Sequence, residues 1–137
     1  MVPVIMGHEF SGIIEKVGSK VIGFEPGDRV VGETSIDTCG ICENCLQGYY
    51  NACLKRKGLG RTVHGVFRKK INLQYKLIHK IPEKVTTQTA VLCEPFASCY
   101  HAVVERSKVQ NGETVLVFGP GIIGFFVAFL SLSRGAE

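Results

Sequence analysis

A chain of 137 residues, 45% apolar and 20% charged, has the size of one ordinary globular domain with a packed core. Sixteen Lys and Arg against twelve Asp and Glu leave a net charge of +4. It is dispersed apart from short clusters at 55–57 and 68–70, a pattern of solvated faces that argues against nucleic acid. The longest apolar run, 122–130, is far too short to span a membrane, and "MVPVIMGHEF" has no basic leader or small-residue cleavage site; the expectation is a cytoplasmic protein with no membrane partner.

In chain order, residues 2–28 hold short β-type runs broken by Gly18, Gly23 and Pro26-Gly27-Asp28, which are strand and turn signals. A cysteine-rich lobe follows at 39–53, then a basic, glycine-containing loop at 55–65. Residues 66–81 read as further strand, ended by Pro82. From Thr86 to Arg106 the apolar positions Ala90, Val91, Phe96, Ala97, Tyr100 and Val104 take helical spacing. Pro95 inside that pattern predicts a first-turn position or a split helix. Asn111-Gly112-Glu113 is a turn, and it leads into Thr114–Phe118, an apolar, β-branched run expected to be a buried strand. An apolar helix is expected over 125–133. There is no internal repeat and no low-complexity tract.

The lobe reads C-x2-C-x2-C-x7-C at Cys39, Cys42, Cys45 and Cys53. Short steps let a tight turn aim neighbouring sulfurs at one point, and Gly40 and Gly48 supply the loose backbone such turns need. Four thiolates at tetrahedral corners suit zinc, and they leave no position open for water, so the site would be structural. An iron–sulfur cluster, two disulfides and free thiols remain as alternatives. Without a secretory context the clustered cysteines favour metal over disulfides.

The tail carries "GPGIIG", with Gly119, Gly121 and Gly124 between an expected strand and an expected helix. In that context G-x-G-x-x-G predicts a dinucleotide site: a tight turn, close backbone approach to a pyrophosphate, and close helix–strand packing. A glycine-rich turn before a core helix is the plainer alternative. The acidic residue expected about 20 positions on lies beyond Glu137. A third set is scattered: His8 and Glu9 in "GHEF", and Glu94 in "CEP". An imidazole and carboxylates can hold a catalytic zinc; equally, His8-Glu9 can be strand-end polarity and Glu94 can favour a helix N-terminus.

Taken together, "GHEFSGIIEKVGSKVIGFEPGDRVV", "CGICENCLQGYYNAC", "CEPFASCYHAV" and "TVLVFGPGIIG" resemble the zinc-dependent medium-chain alcohol dehydrogenases, in order and spacing, over essentially the whole chain. Glu94-Pro95 and Glu33 resemble the polyol (sorbitol or L-iditol) and threonine dehydrogenase branch. The resemblance implies a mixed α/β fold: a partial GroES-like β-barrel catalytic domain over 1–105, lacking its N-terminal part, then the first β-α unit of a Rossmann domain over 106–137. It implies an internal piece of an enzyme moving hydride between a secondary alcohol (a polyol, a sugar alcohol or a 3-hydroxy amino acid) and NAD or NADP. The isolated chain would then be an inactive zinc-binding fragment. His8, Glu9 and Glu94 would serve a catalytic zinc, and Cys39, Cys42, Cys45 and Cys53 a structural zinc. Gly119, Gly121, Ile122, Ile123 and Gly124 would meet the cofactor. A full-length homo-oligomer, dimer or tetramer, is implied.

Some positions depart from that family. Arg68 and Lys69 stand where it carries a small and an aromatic residue. Cys93 is expected to be a buried thiol rather than a ligand, and Cys99 a core residue. His64, His79 and His101 read as ordinary loop, strand and helix residues. The tail "IIGFFVAFLSL" is expected to expose an apolar patch.

Overall fold

A computed structural model describes residues 3–137; Met1 and Val2, the latter opening the strand-rich stretch expected over 2–28, lie outside the described residues. The chain divides into two compact units, Met1–Val91 and Leu92–Glu137.

The first unit is built on a three-stranded antiparallel sheet. Strands β1 (Ser11–Ile13), β2 (Arg29–Gly32) and a third at Ile78–Lys80 run in the order β1, β2, third strand. Gly12 opposes Val30, and Val31 opposes His79. A smaller pair, β3 (Ser35–Asp37) and β4 (Lys57–Gly58), flanks the cysteine lobe, which has its own short helix α1 (Glu43–Leu46). The strand at Ile78–Lys80 is therefore β5. Val30, Leu59, Ile81 and Ala90 are the buried apolar residues around this frame. Two devices hold the segment after β5. The Arg29 guanidinium donates to the carbonyls of Val85, Pro82 and Glu83 at 2.7, 3.2 and 3.4 Å. Thr86 caps helix α2 (Thr87–Ala90), its hydroxyl accepting from Thr89 N–H at 3.1 Å, as a Thr N-cap should.

Sequence periodicity over-reads strand here. Of 66–81, only Ile78–Lys80 forms one, preceded by a 3-10 turn at Tyr75–Leu77. Residues 66–74 find no ladder partner. They flank, with β1, a cleft of about 580 Å³ whose lining includes Phe10, Val30, Val66 and Ile78 together with Lys16, Arg68, Lys69 and Lys70. Lys70 pairs with Glu15 at 2.6 Å. The basic cluster thus lies on an irregular stretch rather than in a sheet.

The second unit is helical. Helix α3 (Cys93–Tyr100) runs into a π-helical turn at His101–Arg106, and α4 (Ile122–Ser133) follows the glycine turn. The helical pattern of 86–106 is split, with α2 ending at Ala90 and α3 starting at Cys93, and Pro95 sits in the first turn of α3. There its missing N–H removes no helical bond. Cys99, Val103, Val109, Phe126, Leu130 and Ala136 form the core. Phe96 meets Phe126 edge to face, 5.2 Å between centroids. Residues 114–118, expected as a buried strand, form no strand, with Leu116 76% and Phe118 89% exposed. They are tied to residue 137 by Val115 N–H to Glu137 C=O at 3.2 Å. Helix α4 begins three residues earlier than the pattern placed it. It leaves Phe125, Phe129 and Leu132 more than half exposed and Ile122 and Ile123 nearly so, the apolar patch expected of this tail.

Candidate metal centres

The four lobe cysteines converge. Gly40 and Gly48 take φ of +70° and +85°, the left-handed turns that fold the lobe back on itself and that glycine adopts without strain. Cys42 is the N-cap of α1, Cys45 lies within α1, and Cys53 follows the 3-10 turn Tyr50–Ala52. Sulfur separations are 3.5 Å for Cys42–Cys45, 3.6 Å for Cys53–Cys39 and 4.0 Å for Cys39–Cys45. One tetrahedral zinc with bonds of about 2.3 Å spaces its sulfurs about 3.8 Å apart, so the donor set fits a single ion. A disulfide needs about 2.05 Å, and all six cysteines are free. A multi-iron cluster would hold the sulfurs further apart than this.

The electrostatics agree with that fit. Backbone N–H groups of Cys39 and Cys42 donate to Cys53 Sγ and Cys39 Sγ at 3.4 Å each. Cys45's backbone N–H, chiefly, pulls the Cys42 thiol down to about 6. The backbone N–H of Cys39 lowers Cys53, while burial pushes Cys45 up to about 12. Backbone N–H groups thus favour the thiolate at Cys42 and Cys53, while burial favours a protonated Cys45. A divalent ion displaces the remaining protons, which ties its binding to pH.

His8 and Glu9 end a segment that is moulded from one side. Gly65 N–H donates to Ile5 C=O at 2.6 Å, Phe67 N–H to Met6 C=O at 3.0 Å, and Val66 N–H to Gly7 C=O at 3.0 Å. The Ile5 N–H donates to Nδ1 of His64 at 3.0 Å. Gly7 has φ +89° and lies under the Phe67 ring; Gly60 and Gly65 have their Cα atoms against its backbone, where any Cβ would collide. His8 and Glu9 offer ligand atoms within 4.8 Å of each other, and imidazole with carboxylate is a chemically suitable zinc donor pair.

In the second unit, Glu94 lies in the first turn of α3, beside the helix N-terminus. Cys93 before it is exposed, not buried, because it is the first residue of α3 and precedes the face that packs; Cys99 is buried as expected. At the glycine turn, Gly119 has φ +96°, Gly121 is the N-cap of α4, and the first helical bond runs from Phe125 N–H to Gly121 C=O. The N–H groups of Ile122, Ile123 and Gly124 thus precede the helical ladder. A Cβ on Gly124 would collide with the Gly119 carbonyl, so glycine is required for the helix start to sit on the turn. His79 lies in β5 and pairs with Glu33 at 3.1 Å. His101 opens the π turn and bonds Glu105 at 2.6 Å.

Comparison with known proteins follows the same lines. Residues 1–83 match the alcohol dehydrogenase GroES-like domain. The chain is 42% identical over 133 residues to the sorbitol dehydrogenase of Halalkalibacterium halodurans, covering 97% of this chain and 38% of that protein. It is 36% identical over 134 residues to the D-arabitol-phosphate dehydrogenase of Enterococcus avium, covering 98% and 38%. A structure described as a zinc-binding dehydrogenase, from Sinorhizobium meliloti 1021 and bound to NADP, superposes with a TM-score of 0.91 at 34% identity, over 100% of this chain and 40% of that one. The chain thus spans about two fifths of the length of the proteins it matches. Sequence motifs, sulfur geometry and these likenesses converge: the chain belongs to the zinc-dependent alcohol dehydrogenases of the GroES-like family.

Proposed function

We propose that this chain is the metal-binding part, with the opening of the nucleotide-binding part, of a dehydrogenase that moves hydride between a secondary alcohol and NAD(P). The substrate class is a polyol, a sugar alcohol or a 3-hydroxy amino acid. The observation that carries the reading is the four-sulfur cluster of single-zinc dimensions in a chain matching the family over 1–83. On this reading 1–105 belongs to the GroES-like catalytic domain and 106–137 opens the Rossmann domain. The whole enzyme is a cytoplasmic homo-oligomer.

Cys39, Cys42, Cys45 and Cys53 hold the structural zinc. His8, Glu9 and Glu94 serve the catalytic one, which as a Lewis acid makes a substrate hydroxyl easier to deprotonate. Gly119 and Gly121 let the backbone approach the pyrophosphate, and the free N–H groups of Ile122, Ile123 and Gly124 donate to it. Glu94 adds negative charge beside the metal and accepts hydrogen bonds, which suits a substrate with several hydroxyls. In the full-length protein, Glu94→Cys should move preference from polyols towards simple alcohols; an unchanged preference removes Glu94 from that role.

The 38% coverage of its relatives supports a second reading: alone, the 137-residue chain binds zinc and turns nothing over. Elemental analysis after dialysis, with an assay of nicotinamide reduction over a polyol panel, tests both. Zinc with turnover supports the enzyme and zinc without turnover the inactive chain, whereas iron overturns both.

A further inference from the structure

We propose that His64 is a positioning residue for the His8–Glu9 pair, acting as the anchor that seats the segment leading into it. The inference rests on the reading of His8 as a zinc ligand, and goes beyond it in assigning work to a histidine that reads in sequence as an ordinary loop residue.

Three features carry it. First, the cradle is made of main chain: the bonds from Gly65, Val66 and Phe67 grip the carbonyls of Ile5, Met6 and Gly7, and the glycines at 60 and 65 bring that backbone close. Every one of those bonds uses a carbonyl of the segment. Second, the Ile5 N–H, the segment's donor nearest its start, is taken by a side chain, Nδ1 of His64 at 3.0 Å. Nδ1 must be the bare nitrogen, so the ring proton sits on Nε2. Third, Ile5 is three residues from His8 and Gly7 is its direct neighbour, with φ at +89°. A rotation of the segment about its carbonyl-side bonds would swing His8 and Glu9 together. The His64 bond opposes that rotation, because among the described residues it alone holds the segment by a donor.

The test uses the full chain with zinc as the probe. The wild type should take two zinc ions, one at the cysteines and a weaker one at His8. His64→Ala should leave the first unchanged, weaken the second by about ten-fold, and speed exchange of the Ile5 amide by about five-fold. His64→Asn should restore both, since Asn Oδ1 stands off Cγ where Nδ1 does in the imidazole. Unchanged cysteine-site zinc in each variant reports an intact fold. The proposal is overturned if His64→Ala matches the wild type in second-site affinity and Ile5 exchange, or if His64→Asn behaves like His64→Ala. A wild type that takes a single zinc overturns it through its premise, and Ile5 exchange then separates a missing ligand role from a missing anchor.

Discussion

Replacing Gly65 by Ala tests the cradle through its backbone rather than its metal. A Cβ there would collide with the Gly7 carbonyl and lie 2.7 Å from both the Gly60 Cα and the Met6 carbonyl. Carbon–oxygen contacts settle at about 3.3 Å, so the Met6 contact alone asks for a displacement of roughly 0.6 Å. The obstacle is main chain on both sides, and no side-chain rotation can relieve it. Movement of that size disrupts the bonds from Gly65, Val66 and Phe67 to the segment. At about 1 kcal/mol net for each bond, the expected loss is about 3 kcal/mol, within the range for overpacking. Urea unfolding of the first unit should show it as a lower midpoint at unchanged slope. Gly12→Ala is the matched control: it lies in β1 with nothing within 4 Å of the added carbon, and should be neutral within about 0.5 kcal/mol. Equal stabilities for the two variants would refute the cradle.

The remaining predictions use other parts of the chain. With zinc held, a thiol reagent should react promptly with Cys93 alone; a chelator should release Cys39, Cys42, Cys45 and Cys53 to it, while Cys99, buried and with its thiol pushed up by that burial, stays slow. Asp28, which bonds Lys80 at 2.8 Å, has its carboxyl held below the ordinary range chiefly by that side chain. Its contribution is therefore present above the unfolded-state value and is lost as pH falls through the lowered folded value. Asp28→Asn should flatten the acid limb of a stability–pH curve, and an unchanged limb would remove the pair from that role. The exposed face of α4 should drive self-association of the 137-residue chain: Phe129→Glu should shift the size-exclusion profile towards monomer, and a wild type that stays monomeric at high concentration would exclude the effect.

Local chemistry made some of this protein legible without coordinates. The steps between Cys39, Cys42 and Cys45 confine three sulfurs to one turn whatever surrounds them, and Gly40, Gly48 and Gly119 sit where the backbone turns left-handed. The helix after the glycine turn follows from periodicity, and the first-turn place of Pro95 from its missing N–H. The strands did not follow in the same way. Residues 66–74 and 114–118 have the composition of strands, yet a strand exists only where a second chain segment supplies the ladder, and that partner is not encoded in the segment itself. Cys93 and Cys99 differ by six positions; which of them is buried depends on the face that α3 turns to α4. His64 looked idle because its partner is the backbone of Ile5, 59 residues away, and a main-chain N–H leaves no mark on composition or spacing. Sequence alone determined the cysteine spacing and the family, because closely spaced side chains declare their own pattern; the tertiary structure decided strand pairing, burial, the convergence of the four sulfurs and the bonds that hold the segment before His8, because each needs atoms brought together from distant parts of the chain.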